Sequence, residues 1–208
     1  MEKTQQRAII RKPAPEFKGM AYWNKKFQEI TLSQFKGKYV VLFFYPLDFT
    51  FVCPTEIVQF SDKKAEFDKL DCQVIACSID SHFSHKEWTK KDRKKGGLGE
   101  MAIPMLADVS KDISRDYGCL IQDGGDKGVS FRATYIIDDK GILRHSTISD
   151  LPVGRNADEF VRLVTAFKYT DEYGEVCPAS WKPGAATMHA DPDSKKTEEY
   201  WDKEHGKQ

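Results

Sequence analysis

The chain has 208 residues, and its 32 lysine and arginine residues balance its 32 aspartate and glutamate residues, which gives a formal net charge of zero. This balance disfavours nucleic acid as a partner, because general nucleic-acid binding needs excess positive charge. The longest apolar run, residues 39–45, is too short to cross a bilayer, and the first residues lack the apolar core of a secretory signal, so we expect a cytoplasmic protein with no membrane partner.

The first half of the chain alternates predicted strands with predicted helices. Residues 38–45 form a continuous apolar run, which is typical of a buried central strand. A helical pattern of apolar residues follows over residues 54–70, and residues 72–79 form a second strand-like apolar run. Ser84 and Glu87, which are three residues apart, predict a capping box at the start of the next helix.

The second half continues this alternation and adds a hairpin. Residues 104–107 predict a short strand, and the helix after it is expected to start at an N-cap on Ser110 and to end at Gly118. Residues 130–137 and 142–148 predict two strands. The turn between them has a glycine where a positive φ is needed, so the two strands are expected to form a hairpin.

Asn156 and Glu159 predict the cap of a last helix, which runs to about residue 168. The order of elements predicts an α/β domain over residues 1–168, with a central mixed sheet flanked by helices and compatible with a thioredoxin-like fold. Residues 169–208 are predicted to form a C-terminal arm. Because a disordered tail usually lacks aromatic residues, this arm is expected to pack against something. Its aromatic residues include Trp181, Tyr200 and Trp201.

Among five cysteines, Cys53 has the position best suited to chemistry, between the first buried strand and the long helix. Pro54 fits the first helical turn, because its missing N–H would be unpaired there anyway. The free N–H groups and the dipole of a helix start favour a negatively charged sulfur, and the thiolate is the reactive form of cysteine. The alternative is a small buried hydrophobic residue. The helix start and the flanking Pro46 and Thr50 favour a nucleophile.

The remaining motifs predict neither a cofactor nor a metal. The sequence contains no Cys-x-x-Cys pair, no dinucleotide fingerprint and no phosphate-binding loop. Cys72 and Cys77, followed by His82 and His85, could suggest zinc. Two cysteines five residues apart on a strand point to opposite faces, however, and cannot share one tetrahedral ion. Cys119 is interpreted as a packing residue.

Four blocks of the sequence carry a resemblance to a known family: Pro46-x-x-x-Thr50-x-x-Cys53, residues 131–138, residues 150–155, and Gly174-Glu175-Val176-Cys177-Pro178-Ala179. Together they resemble the typical two-cysteine peroxiredoxins, a family of thioredoxin-dependent peroxidases that includes the alkyl hydroperoxide reductases. The resemblance extends over about residues 13–184. It implies a thioredoxin-like fold and an antioxidant enzyme, also active in redox signalling, that reduces hydrogen peroxide and organic hydroperoxides without a cofactor.

The resemblance also implies a reaction cycle. Cys53 would attack the hydroperoxide as a thiolate and become a sulfenic acid. Cys177 would be the resolving cysteine, supplied by the partner subunit of a homodimer, and would form an intersubunit disulfide that a thioredoxin-like protein reduces. The family further implies that such dimers assemble into a decamer.

The same resemblance assigns roles to the surrounding residues. Arg132 would hold its charge near the sulfur and help to bind the peroxide, and Thr50 would hydrogen-bond the peroxide through its hydroxyl. Pro46 would shield the site from water. Glu56 and Arg155 would orient Arg132, which is a supporting role.

Two other functions stay open at this stage. One is a holdase, in which ring-like oligomers capture unfolded proteins on apolar surface; such chaperone behaviour occurs in the family and could coexist with peroxidase activity. The other is a redox-inactive scaffold of thioredoxin-like fold, which the two intact motif cysteines disfavour.

Overall fold

The computed structural model describes residues 8–206 of the chain. The strands are β1 Lys18–Trp23, β2 Lys26–Thr31, β3 Tyr39–Phe44, β4 Cys72–Ser78, β5 Met105–Ala107, β6 Arg132–Ile137 and β7 Leu143–Ser149. The helices are α1 Cys53–Asp62, α2 Lys64–Lys69, α3 His82–Lys90, α4 Asp112–Asp116, α5 Ala157–Tyr173 and α6 Lys195–His205. Of these residues, those up to Ala157 form one compact unit, and those from Asp158 onward form a second.

The strands of the first unit form one seven-stranded mixed sheet in the order β2-β1-β5-β4-β3-β6-β7. The neighbours β3 and β4, and β4 and β5, run parallel, whereas β6 pairs antiparallel with both β3 and β7. The prediction of an α/β fold with a mixed sheet and a hairpin at its antiparallel edge is therefore confirmed.

The centre of the sheet explains the longest apolar run. All six residues of β3 are buried, because β3 lies between β4 and β6 and is covered on both faces. At the carboxyl end of β3 the chain enters a loop over residues 45–52, and α1 starts directly after it at Cys53. A fully buried strand therefore fixes the position of this cysteine.

The first hairpin, β1–β2, was not predicted. Its strands bury few side chains, among them Ala21 and Ile30, and the rest of each strand is partly or fully exposed. The apolar periodicity is therefore weak. The turn residues Asn24 and Lys25 both have positive φ, of 51° and 62°, which is the conformation that tight hairpin turns require.

Three expected helix boundaries were wrong. The helix expected over residues 54–70 is divided into α1 and α2 at Lys63. The cap of α3 is Ser81, whose hydroxyl oxygen accepts the Ser84 N–H at 3.2 Å, so Ser84 is a residue of the first turn and does not cap it. A serine caps a helix only from an extended conformation just outside the first turn, and Ser81 has that conformation.

Asp108, and not Ser110, caps α4. Its carboxylate accepts the N–H groups of Ile113 and Ser114 at 3.1 and 2.7 Å and the Ser114 hydroxyl at 2.5 Å. The helix ends as predicted, because Gly118 has a φ of 75° and follows directly after the C-cap residue.

In the second unit, α5 continues past residue 168 to Tyr173, where Gly174 with a φ of 67° follows. The boundary between residues 168 and 169 stays a prediction. The arm contains a helix that was not predicted, α6, which starts after Ser194. Trp181 is buried as expected for a packed arm, whereas Trp201 is half exposed. Within the part of the chain that the structure describes, every helix is too short or too polar to span a membrane.

Candidate active site

Cys53 is the first residue of α1 and is only 1% exposed. The prediction that it lies at a helix start is confirmed, with Pro54 as the next residue of the first turn. At this position its sulfur is close to N–H groups that have no partner within the helix. The positive end of the helix dipole therefore favours a negative charge on the Cys53 sulfur.

Arg132 brings a full positive charge to the same sulfur. Its Nη1 lies 3.4 Å from Cys53 Sγ, and the Arg132 side chain is buried. Arg132 is the first residue of β6, so the central sheet holds it in place. Because opposite charges attract more strongly in the interior than in water, this contact favours the thiolate of Cys53. It also leaves guanidinium donors beside the atom that would react.

Glu56 connects Arg132 to Arg155. It lies three residues after Cys53 on α1, so both side chains are on one face of the helix. Its carboxylate accepts Arg132 Nη1 at 2.7 Å, Arg155 Nε at 2.7 Å and Arg155 Nη2 at 3.0 Å. The structure thus brings together these four residues, as the resemblance implies.

The buried cluster has one positive charge in excess. Arg132 and Arg155 share the single carboxylate of Glu56, and all three side chains are at most 6% exposed. Since an uncompensated buried charge is costly in free energy, a negatively charged sulfur at Cys53 would neutralise the excess positive charge.

Hydrogen bonds to the main chain fix the orientation of both arginines. Arg132 Nε donates to the Leu151 carbonyl at 2.6 Å, and Arg155 Nη1 donates to the Ala133 carbonyl at 2.7 Å. The Arg155 guanidinium also lies 5.2 Å from the centroid of the Phe43 ring, in a cation–π contact. A positioned guanidinium needs no reorganisation when charge moves during a reaction.

The loop before α1 holds the other two predicted residues. Pro46 is buried, and Thr50 is half-buried with its hydroxyl donating to the Leu47 carbonyl at 3.0 Å. Because the hydroxyl proton of Thr50 is used in this way, its oxygen remains able to accept a hydrogen bond from a hydroperoxide.

A buried polar network, which no sequence pattern predicted, holds this loop in place. The Asp48 carboxylate accepts the Tyr45 hydroxyl at 2.8 Å and lies 2.8 Å from His85 Nδ1. The Asp48 N–H donates to Asp80 at 2.9 Å. Burial raises the pKa of the Tyr45 hydroxyl, which therefore stays protonated as a donor. Asp48 and His85 are on separate elements, so no local sequence pattern could have linked them.

Cys177 belongs to the second unit, in the segment after α5. It is half-buried, and its Sγ lies 3.8 Å from the Ala166 carbonyl oxygen and 3.8 Å from Thr170 Oγ1. All five cysteines of the chain are free.

The other three cysteines differ from Cys53 in their surroundings. Cys72, Cys77 and Cys119 are buried, and Cys77 and Cys119 are part of the apolar core. Burial raises the pKa of the Cys77 and Cys119 thiols, so both remain neutral. The interpretation of Cys119 as a packing residue is confirmed. Among residues 8–206, no group of three histidine, cysteine or acidic side chains is placed to hold a metal ion.

The sequence is similar to those of known proteins. Residues 10–146 match the AhpC/TSA family model, and residues 166–203 match the C-terminal domain of 1-Cys peroxiredoxin. Peroxiredoxin 2 of Drosophila melanogaster is 58% identical over 193 residues, covering 93% of this chain and 97% of that protein.

Two solved structures resemble the fold. Reduced 2-Cys peroxiredoxin of Plasmodium vivax has a TM-score of 0.84 and 40% identity, covering 88% of this chain and 94% of that chain. The mitochondrial 2-Cys peroxiredoxin of Plasmodium falciparum has a TM-score of 0.76 and 37% identity, covering 82% and 100%.

Proposed function

Because the chain belongs to the AhpC/TSA family of peroxiredoxins, we propose that Cys53 is its peroxidatic cysteine. The chain has the thioredoxin-like fold of this family and is a thiol peroxidase. The observation that carries the proposal is the 3.4 Å contact between Arg132 Nη1 and the buried sulfur of Cys53 at the start of α1. No other cysteine of residues 8–206 combines a helix start with a guanidinium partner.

In the first step, the Cys53 thiolate attacks one oxygen of the hydroperoxide and the O–O bond breaks. Sulfur is oxidised to a sulfenic acid, and the other oxygen leaves as an alkoxide or hydroxide that takes up a proton. Arg132 donates to the oxygens as negative charge moves onto them, and Glu56 and Arg155 hold Arg132 in place.

Thr50 and Pro46 complete the proposed site. The Thr50 oxygen accepts the hydrogen bond of the hydroperoxide, which orients the O–O bond for attack. Pro46 lies buried in the loop and keeps water from the sulfur. Support for both roles comes from their place in the loop that leads into Cys53.

In the second step, Cys177 of a partner subunit condenses with the sulfenic acid, forming the disulfide and releasing water. A thioredoxin-like protein then reduces the disulfide by thiol exchange. A homodimer is supported by β7, which is an edge strand of the sheet. Among the described residues, backbone hydrogen bonds reach the outer side of β7 only at its start, where Leu143 pairs with residues 11 and 12. We further propose that such dimers assemble into a decamer.

We also propose that the enzyme works in the cytoplasm. Its odd number of cysteines, five, suits a reducing compartment. One structural relative is a mitochondrial protein, so imaging of the full chain with a C-terminal tag is the test. A mitochondrial signal would contradict the proposal.

A non-reducing gel with one equivalent of hydrogen peroxide tests the two cysteine roles. We expect a covalent dimer in the wild type and in the control Cys72→Ala, and none in Cys53→Ser or Cys177→Ser. A wild-type protein that consumes peroxide without forming a dimer would contradict the role of Cys177. Continued peroxide consumption by Cys53→Ser would contradict the role of Cys53.

Exposed aromatic side chains favour a second activity, the holdase. Phe51 is 85% exposed and Phe83 is 60% exposed, and both offer apolar surface to an unfolded protein. Cys53→Ser should therefore still suppress aggregation of a heat-denatured client. Loss of suppression in Phe51→Ser or Phe83→Ser would support this activity, and unchanged suppression in the double variant would contradict it.

A further inference from the structure

The carboxylate of Glu175, two residues before Cys177, collects three side-chain donors. Its Oε2 accepts the Tyr169 hydroxyl at 3.0 Å and the hydroxyl of Thr187. Its Oε1 forms an ion pair with Lys196 Nζ. Tyr169 belongs to α5 and Lys196 to α6, so one side chain joins both helices of the second unit to the segment that carries the cysteine.

The same segment is also held at Val176, directly before Cys177, and at Trp181, four residues after it. The backbones of Val176 and Met188 pair through two hydrogen bonds of 2.8 and 3.1 Å. Trp181 is 2% exposed, its indole donates to the Ala185 carbonyl at 3.1 Å, and its own carbonyl accepts Arg162 at 3.2 Å. Hydrogen bonds therefore hold the segment that contains Cys177 in place both before and after this residue.

The sulfur itself faces α5, where Ala166 and Thr170 lie 3.8 Å from it. A disulfide forms only when the two Cα atoms approach to about 4.4–6.8 Å with suitable geometry. If Cys177 reacts with Cys53 of a partner subunit, it must first leave these contacts with α5.

We propose that Glu175 is a positioning residue that restrains Cys177 and so slows formation of the intersubunit disulfide. The inference rests on the proposed role of Cys177 as the resolving cysteine. Lys196 is the charged partner of the restraint, and loss of either side chain frees the segment. A slower resolving step leaves the sulfenic acid of Cys53 exposed to a second peroxide molecule, which oxidises it to a sulfinic acid.

The size of the effect follows from the partial exposure of the pair. The Glu175 side chain is 16% exposed and that of Lys196 is 37% exposed, so solvent screens part of the attraction. Removing one charge-assisted hydrogen bond at such a site is expected to accelerate the release of the segment about fivefold.

Two variants and a matched control test the restraint. Glu175→Gln and Lys196→Met each remove one charge of the pair. Lys195→Met makes the same change at the neighbouring residue, whose partner Glu199 lies on the exposed face of α6. Competition with a second peroxidase measures oxidation of Cys53, and quenched-flow samples on non-reducing gels measure disulfide formation.

We expect an unchanged rate of Cys53 oxidation in all variants. Disulfide formation should be about fivefold faster in Glu175→Gln and Lys196→Met and unchanged in Lys195→Met. The double variant Glu175→Lys with Lys196→Glu should restore the slow rate, which loosening of the arm alone would not do. Unchanged or slower disulfide formation in Glu175→Gln would overturn the restraint. A wild-type protein that forms no Cys53–Cys177 disulfide would instead overturn the proposed resolving role of Cys177.

Discussion

At the scale of single residues, three buried cysteines differ in the charged groups that lie near their sulfur atoms. Cys53, Cys77 and Cys119 are all buried. Burial, followed by the negative charge of Asp108, raises the pKa of Cys77 and Cys119 and keeps them as neutral core thiols. Cys53 has a guanidinium group, that of Arg132, at 3.4 Å from its sulfur. Cys53, the proposed reactive cysteine, thus differs from the two core cysteines in its charged partner and not in its degree of exposure.

Glu56 supports a prediction about stability and activity together. In Glu56→Gln, the two buried guanidinium groups of Arg132 and Arg155 lose the carboxylate that they share. We expect a loss of about 3 kcal/mol in the free energy of unfolding, measured with urea, because removing one partner of a buried ion pair leaves uncompensated charge. The rate of Cys53 oxidation should fall about tenfold, because Arg132 loses its orientation.

The control is Glu66→Gln. Glu66 pairs with Lys63 at 3.0 Å, but its side chain is 49% exposed. The free energy of unfolding should change by less than about 0.5 kcal/mol, as for most exposed pairs. Equal effects of the two variants would contradict the structural role of Glu56.

Glu175 supports a prediction about pH. Hydrogen bonds from Lys196 and Thr187 lower the pKa of Glu175 from 4.5 to about 2. A carboxylate with a lowered pKa in the folded state stabilises the protein above its unfolded pKa, and this contribution is lost as pH falls through the folded value.

The difference in thermal midpoint between the wild type and Glu175→Gln should therefore be constant above about pH 5 and should shrink as pH falls toward 2. Differential scanning calorimetry across this range is the measurement. A difference that does not change with pH would show that the carboxylate charge contributes nothing.

At the scale of elements, the residue that caps a helix is the one whose side chain can accept hydrogen bonds from the first N–H groups. This residue can lie several positions before the helix. Ser110 has the residue type of a cap, but α4 uses Asp108, four residues before its first residue. The N-cap position of α4 is held by Lys111 in a left-handed conformation with a φ of 62°, which offers no side-chain acceptor to the helix. The tight turn between Asp108 and α4 brings the carboxylate back over the first turn.

This difference can be tested with two substitutions. Asp108→Ala should lower the free energy of unfolding by about 2 kcal/mol, because buried N–H groups of α4 lose their acceptor. Ser110→Ala, a change at an exposed residue of the same turn, should alter it by less than about 0.5 kcal/mol. Urea denaturation measures both, and a larger loss in Ser110→Ala would contradict the assignment of the cap.

At the scale of the whole molecule, β7 is the edge strand at which we expect a second subunit to pair. It ends the sheet, and past Leu143 no other strand of residues 8–206 pairs with its outer side. Ile148 on this strand is 51% exposed. An edge strand with free N–H and carbonyl groups is a template for pairing with another chain.

We therefore expect the outward amides of residues 146–149 to be protected from hydrogen exchange at micromolar protein concentration and to lose protection on dilution. Hydrogen–deuterium exchange followed by mass spectrometry is the measurement, with the hairpin β1–β2 as the internal reference. Protection of β7 that does not depend on concentration would contradict pairing through this edge.

The sequence determined the elements whose signals are local. The apolar run of β3, the helix start at Cys53, the end of α4 at Gly118 and the β6–β7 hairpin each depend on a few neighbouring residues, and all four are present in the structure. The sequence pattern did not predict β1–β2, whose strands bury few side chains, or α6, whose residues are mostly charged.

Which charged groups meet depends on how elements that are distant in sequence pack together. Arg132 is 79 residues from Cys53 in sequence and Asp48 is 37 residues from His85, yet both pairs are in contact inside the protein. Family resemblance named Arg132, but its distance, its burial and the carboxylate it shares with Arg155 depend on how β6 and α1 pack. No local sequence pattern predicted the Asp48–His85 network or the contacts of Glu175. Contacts of this kind arise from packing between elements, which no local pattern encodes.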